Sequence, residues 1–217
     1  MLAATILGGC QTPISSWSWQ DLSRPVMATH TPSNIYSPSG LPSDLRRVAL
    51  LPLTLPANSS EAEDSHVALE QALQQEISKA NRFEVIVVTP AQLHQWTGRA
   101  HWGAEEKLPL DFFTNLRERS GCDAVMFTRV TRFRAYPPLT VGFNLKLIYG
   151  EAPHRILWAV DEVFDAGQPS VVNAATTFAK RHNTGSEHLS DGWSVLRSPQ
   201  RFSQYAANAV VATLPTR

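Results

Sequence analysis

The spacing of apolar residues predicts an ordered domain that begins near residue 45. Residues 46–53 are a short aliphatic run closed by a proline, which is typical of a buried strand. Apolar residues then recur every three or four positions over residues 62–80, as on the buried side of an amphipathic helix. Residues 83–88 are rich in β-branched side chains and predict a second strand.

Capping residues set the ends of the first predicted helices. Ser60 and Glu63 fit a capping box at the start of the first helix. Thr89 and Pro90 predict an N-cap and a first helical residue, and the helix they begin cannot continue past Gly98.

The second half of the chain predicts three long strands followed by helices. The predicted elements are a short helix over 110–120, strands over 124–136, 140–149 and 155–164, a weak helix over 169–179 and a strong helix capped by Ser198. The strand over 140–149 alternates most clearly between apolar and polar residues, so one of its faces is expected to be buried and the other at least partly wet. The order β-α-β-α-α-β-β-β-α-α predicts an α+β fold, with a mixed sheet of about five strands covered by helices.

The chain begins MLAATILGGC, which looks like the end of a bacterial lipoprotein signal peptide. Leu7 stands three positions before Cys10, and the small residues Gly8 and Gly9 fill the positions between them. In lipoproteins a peptidase binds such a site in extended form, and a diacylglyceride is attached to the thiol. No Lys or Arg precedes Cys10, whereas a signal peptide carries a basic region there. We therefore expect a start codon further upstream or a clipped chain; the alternative is a short buried strand with a free cysteine.

The composition of the next segment favours the lipid anchor over a buried strand. Residues 11–44 contain five Pro, eight Ser, one Gly and three charged side chains, which is typical of a flexible linker. The sequence thus divides into a signal remnant over 1–9, a lipidated Cys10 with a tether over 10–44, and one globular domain over 45–217. Acyl chains on Cys10 would hold the protein on the membrane without a spanning helix. Gln11 is not the Asp that retains enterobacterial lipoproteins at the inner membrane, so we expect a periplasm-facing protein of the outer membrane.

Composition excludes several classes of protein. The chain has 217 residues, 43% of them hydrophobic, with 19 basic and 19 acidic side chains. A packed core is expected from this apolar fraction, and a neutral chain lacks the positive field of most nucleic-acid binders. No apolar run approaches the roughly 18 to 20 residues of a membrane-spanning helix. The two cysteines, Cys10 and Cys122, cannot form a disulfide framework.

The chain carries, in order, the lipoprotein motif Leu7-Gly8-Gly9-Cys10 (the lipobox), the polar tether, RRVALLPL, an amphipathic helix, NRFEVI, short helices, GCDAVMF and a meander of long strands. Together these features resemble the periplasmic lipoprotein domains of the TolB amino-terminal type. That group includes the penicillin-binding-protein activator lipoproteins and the curli-secretion lipoprotein, and the resemblance covers about residues 45–165. It implies a non-enzymatic domain that recognises another envelope protein from a tethered position. The pore of the curli-secretion member is not expected here, because basic side chains lie along the strands where a lipid-facing band would need apolar ones.

Those basic side chains make the segment 121–155 locally positive. They are Arg129, Arg132, Arg134, Lys146 and Arg155, against Asp123 and Glu151. On one face they would form a docking surface for an acidic partner, anionic lipid head groups or peptidoglycan carboxylates. The alternative is an ordinary solvated strand face.

No signature of catalysis or metal binding is evident in the sequence. None of the seven histidines pairs at the i, i+4 spacing of a helical zinc site. Gly185–His188 lacks a nucleophile elbow, and Gly98–Gly103 lacks the Lys and Ser or Thr of a phosphate loop. Cys122 has no neighbouring base and is expected to be a buried, inert thiol. We predict no enzyme, metal or cofactor, with an unrecognised envelope hydrolase and a subunit of an oligomeric secretion or assembly complex as the alternatives.

The lipid anchor is tested by replacing its attachment residue. Cys10→Ala is expected to move the protein from the outer-membrane fraction to the soluble fraction, because no other segment of the sequence is apolar enough to hold it. Density-gradient fractionation in high salt, which screens charge-based attachment, measures this, and Cys122→Ala should stay with the membrane. Unchanged membrane association of Cys10→Ala would contradict the anchor.

Overall fold

A computed structural model describes residues 28–38, 40–56, 59–182 and 192–216. The strands are β1 (Ile35–Tyr36), β2 (Arg47–Leu50), β3 (Glu84–Val87), β4 (Ala124–Arg134), β5 (Thr140–Tyr149) and β6 (Ile156–Asp165). The helices are α1 (Ser60–Asp64), α2 (His66–Ala80), α3 (Pro90–Thr97), α4 (Phe112–Ser120), α5 (Pro169–His182) and α6 (Pro199–Val211), with a 3₁₀ helix over Gly192–Arg197. The predicted α+β class and the predicted order of elements from β2 onward are confirmed.

One mixed sheet organises the domain, with strands in the order β1-β6-β5-β4-β2-β3. β2 lies between β3 and β4 and is parallel to both, and helices form the crossover connections. β4, β5 and β6 form an antiparallel meander. Its strands are 11, 10 and 10 residues long, whereas β2 and β3 have only 4 residues each. The long hairpin therefore extends well beyond the parallel part of the sheet.

The helices α2, α5 and α6 and the 3₁₀ helix cover one face of the sheet. Alternate residues of β5 point into this core, namely Val141, Phe143, Leu145 and Leu147, which confirms the predicted alternation. Trp158 of β6 and Phe202 of α6 are completely buried here. Burial of each such side chain contributes about 1.5–3 kcal/mol, so this core is the principal source of stability.

The second face of the sheet is covered over only part of its area. α3, α4 and the loop between them pack on β2, β3 and the first residues of β4, in a smaller core that includes Leu51, Val125 and Phe127. Leu93 of α3 and Leu116 of α4 pack into this core and are fully buried. Cys122 is 1% exposed in this core, and burial raises the pKa of its thiol, which confirms the predicted buried cysteine.

Two helix starts differ in their agreement with the sequence. Thr89 and Gln92 form the capping box of α3, and Gly98 ends this helix with a left-handed φ of 83°, as predicted. The first helix, however, is capped by Ser59 and not by Ser60: the backbone of Ser59 is extended and its hydroxyl accepts a hydrogen bond from the Ala62 N–H. The predicted continuous helix is also interrupted at Ser65, which ends α1 and precedes α2.

Residues 28–38 and 40–44, which the sequence assigns to the tether, contact the domain. β1 pairs with the middle of β6. The sequence pattern did not predict β1. The Ser33 N–H donates a 2.7 Å hydrogen bond to Glu162, and Leu41 is 5% exposed with its N–H bonded to the Thr216 carbonyl. This part of the chain is docked on the domain.

A β-bulge interrupts the pairing of β4 with β5 between Val130 and Arg132, with Thr131 as the extra residue. The Thr131 hydroxyl lies over Gly142 of the partner strand, so closely that a Cβ atom on Gly142 would overlap it. The Arg132 nitrogen would be 3.1 Å from the same Cβ. Gly142 is thus required because the bulge occupies the space of a side chain.

Gly142→Ala is expected to destabilise the domain by about 1–3 kcal/mol through this overlap, reduced by the smaller backbone entropy of the unfolded alanine variant. Thr131→Ala removes the overlapping hydroxyl, so the double variant should recover most of the loss. Urea denaturation of the four proteins measures the coupling. An equal effect of Gly142→Ala with and without Thr131 would contradict the steric account.

Candidate functional site

The uncovered part of the second sheet face is the candidate functional site, and we call it the open face. It consists of Arg129, Arg132 and Arg134 of β4, Gly142, Asn144 and Lys146 of β5, and Asp161, Val163 and Asp165 of β6. Tyr36 of β1 continues it beyond β6, opposite Ala159, and is 53% exposed. α3 and α4 do not reach this area, so it is accessible from outside the domain.

The bulge at Thr131 determines which arginines share the open face. Residues three apart on a regular strand point to opposite faces, since side chains alternate with a period of two. The extra residue shifts the alternation by one position, so that Arg129 and Arg132 point to the same face of the sheet. Arg129 pairs there with Asn144 and Arg132 with Gly142. Four of the five basic residues proposed from the sequence therefore come together: the three arginines of β4 and Lys146.

Charge is distributed unevenly across the open face. Arg129, Asn144 and Asp161 form one cross-strand row, and the Asn144 amide donates a 3.0 Å hydrogen bond to Asp161. Arg134 and Asp165 end another row, with 3.7 Å between their charged groups. The face is basic along β4 and acidic along β6. The acidic strand was not recognised from the sequence, although the spacing Asp161-Val163-Asp165 is the period-two pattern that marks one strand face.

The basic side chains differ in how far they are neutralised within the domain. Lys146 donates a hydrogen bond to Glu105, and Arg134 pairs with Asp165 and donates to the Pro138 carbonyl at 2.6 Å. Arg129 and Arg132 are exposed, and neither forms a hydrogen bond or ion pair with another described residue. These two guanidinium groups are available to an external group.

Two hollows flank these arginines. The larger, about 660 Å³, lies between Pro56, Arg132, Arg134 and Val163. The smaller, about 290 Å³, is lined by Arg129, Asn144 and the acidic pair Glu105 and Glu106. Arg132 thus lines the larger hollow and Arg129 the smaller one.

Glu106 carries a fixed negative charge at the rim of the smaller hollow. The Gly103 N–H donates a 3.0 Å hydrogen bond to one carboxylate oxygen, and Arg99 pairs with the other at 2.6 Å. These two interactions, the first being the larger, lower the pKa of Glu106 against the opposing effect of its partial burial. A partner entering this hollow thus meets an ionised carboxylate beside Arg129.

Arg155, the fifth basic residue proposed from the sequence, does not lie on the open face. It precedes β6, and its guanidinium stacks 5.3 Å above the ring of Tyr149. The Tyr149 hydroxyl donates a 2.6 Å hydrogen bond to Asp44. Tyr149 belongs to the core side of β5, so this cluster lies at the opposite face of the sheet. Arg155 is therefore removed from the predicted docking surface.

Several sequence predictions fall outside the described residues. These are the lipobox residues Leu7, Gly8, Gly9 and Cys10 and the loop Gly185–His188. Within the described parts of the chain, no group of three His, Cys, Asp or Glu side chains is arranged to hold a metal ion. Among the helices described, none has the length and apolarity to cross a membrane.

No protein-family model matches the chain, and no curated protein matches it. Its structure is similar to that of a PelC dodecamer from Paraburkholderia phytofirmans, with a TM-score of 0.49 and 13% identity over 84% of this chain and 96% of that one. The lipoprotein GNA1162 from Neisseria meningitidis gives a TM-score of 0.37 and 13% identity, over 57% of this chain and 85% of that one.

A third similarity is to the hypothetical protein CT253 from Chlamydia trachomatis, with a TM-score of 0.45 and 7% identity over 77% of this chain and 94% of that one. Similarities of this strength are no basis for a functional assignment. The resemblance to the TolB amino-terminal type, made on sequence patterns, stays a prediction.

The Tyr149 cluster gives a prediction on ionisation. The hydrogen bond to Asp44 and, to a lesser extent, burial raise the pKa of Tyr149 from 10.0 to about 12. Because folding raises the pKa of Tyr149 and the same hydrogen bond lowers the pKa of Asp44, the interaction stabilises the domain fully between the ordinary values of 3.8 and 10.0. It is lost as the pH rises towards 12, and also as the pH falls through the lowered pKa of Asp44. Asp44→Ala is expected to lower the pKa of Tyr149, measured by NMR titration of the tyrosine ring. Asp161→Ala is the control, and an unchanged Tyr149 titration in Asp44→Ala would contradict the assignment.

Proposed function

We propose that this protein is a non-enzymatic lipoprotein of the outer membrane, anchored through Cys10, whose open face binds an acidic surface of another envelope protein. The observation that carries the proposal is the pair of exposed arginines, Arg129 and Arg132, held on one strand without a hydrogen bond or ion pair to another described residue. The lipobox supports the location, and this pair of arginines supports the binding role.

The chemistry of arginine favours a carboxylate-bearing partner. A guanidinium group presents its N–H donors in a planar fork that matches a carboxylate in bidentate geometry. Arginine is also enriched among the residues that dominate the energetics of protein interfaces. The backbone at Arg129 and Arg132 is fixed by the pairing of β4 with β5, and at Arg129 also by a bridge to Thr54 on the other side, so little backbone entropy is lost when a partner binds.

The acidic side of the open face would determine the orientation of the partner. Asp161 and Asp165 repel carboxylates, so an acidic surface fits over β4 and not over β6. A partner with acidic groups at one edge and basic or neutral groups at the other therefore binds in one direction. Charge arrangements of this kind favour specificity and fast association more than raw affinity.

The proposal is tested by photo-crosslinking in cells, with a photoreactive amino acid at Val163 beside the larger hollow. We expect a crosslink to a different envelope protein, and Arg129→Glu with Arg132→Glu should reduce it by at least about tenfold, since like charges across an interface are strongly unfavourable. Arg119→Glu with Arg197→Glu is the matched control, because it makes the same change of charge at exposed residues away from the open face and should leave the crosslink intact.

Two results would contradict the proposal. A crosslink that survives both arginine reversals would show that the open face is not the binding surface. A crosslink to a second copy of this chain, with one large species in mass photometry, would favour the assembly subunit over the binding of a separate protein. Circular dichroism of each variant establishes that the fold is retained.

A further inference from the structure

The helical layer carries a charge pattern of its own. Among the described residues after Asp165, namely 166–182 and 192–216, there is no acidic side chain. The same residues contain four cations, Lys180, Arg181, Arg197 and Arg201. α2 adds Lys79, and Arg82 follows its last turn. The layer is therefore predominantly basic where α2, α5 and α6 meet.

Three adjoining hollows form one groove at this meeting point, and we call it the basic groove. Their volumes are about 240, 410 and 240 Å³, and all three are lined by His182 at the end of α5. The charged residues that line them are Lys79, Arg82, Arg181 and Arg201, with Glu76 as the single carboxylate.

Glu76 does not neutralise the groove as a whole. It is 4% exposed, and its oxygens accept hydrogen bonds from Lys79 at 2.7 Å and from Asn208 at 2.8 Å. This carboxylate is therefore balanced by Lys79. Arg201 donates only to the neutral Ser194 hydroxyl, and no hydrogen bond or ion pair joins Arg82 or Arg181 to another described residue. Three guanidinium groups in the groove lack a counter-charge among the residues described.

Helix dipoles explain only part of this arrangement. Cations are favoured in the last turn of a helix, which accounts for Lys79 in α2 and Arg181 in α5. Arg201 lies in the first turn of α6, where the positive end of the dipole disfavours a cation. Its position beside the other two arginines is therefore a cost to the isolated domain, which an external anion would offset.

Ala28 and Thr29, the first described residues, lie beside the same groove. Thr29 lines one of the three hollows together with Arg181. The Ala28 carbonyl accepts a 3.4 Å hydrogen bond from Asn173 of α5, and the His30 N–H donates to the Ser170 carbonyl at 3.0 Å. Eighteen peptide steps separate Cys10 from Ala28, which span at most about 65 Å. The groove is thus the part of the domain nearest to the proposed anchor along the chain.

We propose that the basic groove binds the phosphate head groups of anionic phospholipids in the membrane that holds the anchor. That the groove lies close to a membrane rests on the lipid anchor at Cys10, which belongs to the proposed function. That the groove binds phosphate rests on its own residues alone. Guanidinium groups bind phosphate oxygens in bidentate geometry. A lipid chain combined with a basic surface holds a protein on a membrane more firmly, and in a more defined orientation, than the chain alone. Arg82, Arg181 and Arg201 supply that basic surface.

The experiment uses the full chain with Cys10→Ser, so that no acyl chain contributes, and measures its flotation with vesicles. We expect binding to vesicles of phosphatidylcholine with phosphatidylglycerol, none to phosphatidylcholine alone, and a loss of binding as salt is added. Arg82→Gln with Arg181→Gln should weaken binding about twenty-five-fold, that is about fivefold for each cation removed. Arg129→Gln with Arg132→Gln removes the same charge from the open face and should leave vesicle binding unchanged.

Three outcomes would overturn the inference. Equal weakening by both double variants would mean a general effect of net charge, and equal binding to both kinds of vesicle would mean that phosphate head groups are not recognised. Binding of inorganic phosphate without vesicle binding would assign the groove to a soluble anion. If the Cys10→Ser protein bound no vesicles and the Arg82 and Arg181 variant lost the Val163 crosslink, the basic groove would be assigned to an acidic protein. Since crosslinking and vesicle binding are measured separately, failure of one proposal is distinguishable from failure of the other.

Discussion

The difference in length between the parallel strands and the meander is the constraint on which the rest of the structure depends. β2 and β3 have 4 residues each. The helices α3 and α4, which follow β3, therefore cover only the part of the sheet beside these two short strands. β4 and β5 are more than twice as long and continue past that cover. Their outer face must therefore be polar to remain in water, and the open face with its arginines and aspartates is the result.

The sequence predicted those parts of the fold that depend on local patterns. The alternation along β5, the capping box at Thr89 and the stop at Gly98 follow from backbone and side-chain preferences within a few residues. β1 was missed because two residues in a Pro- and Ser-rich segment have no period to detect, and their pairing with β6 is a long-range contact. The capping-box spacing to Glu63 favoured Ser60, whereas the backbone turns at Ser59, whose hydroxyl bonds to the Ala62 N–H.

The candidate site was predictable in composition but not in geometry. A run of basic residues over β4 and β5 is visible in the sequence, yet whether Arg129 and Arg132 share a face depends on the bulge at Thr131. Nothing in the residue types fixes the place of that bulge apart from the space left by Gly142. Arg155 belongs elsewhere because the strand begins after it and its side chain stacks on Tyr149. The overall balance of 19 basic and 19 acidic residues thus conceals two separate basic regions on opposite faces of one sheet.

The docking of residues 28–36 along β6 has a mechanical consequence. A pull on the amino-terminal segment acts first on the hydrogen bonds that Ala28 and His30 make with α5, then on those that Glu162 and the β6 backbone make with Ser33, Asn34 and β1, and not on the buried core. These bonds lie along α5 and the edge of the sheet and can break one after another. Their rupture would free residues 28–38 and lengthen the connection by as much as roughly 40 Å at about 3.5 Å per residue. Force can therefore lengthen the connection between the anchor and the domain while the core of the domain stays folded.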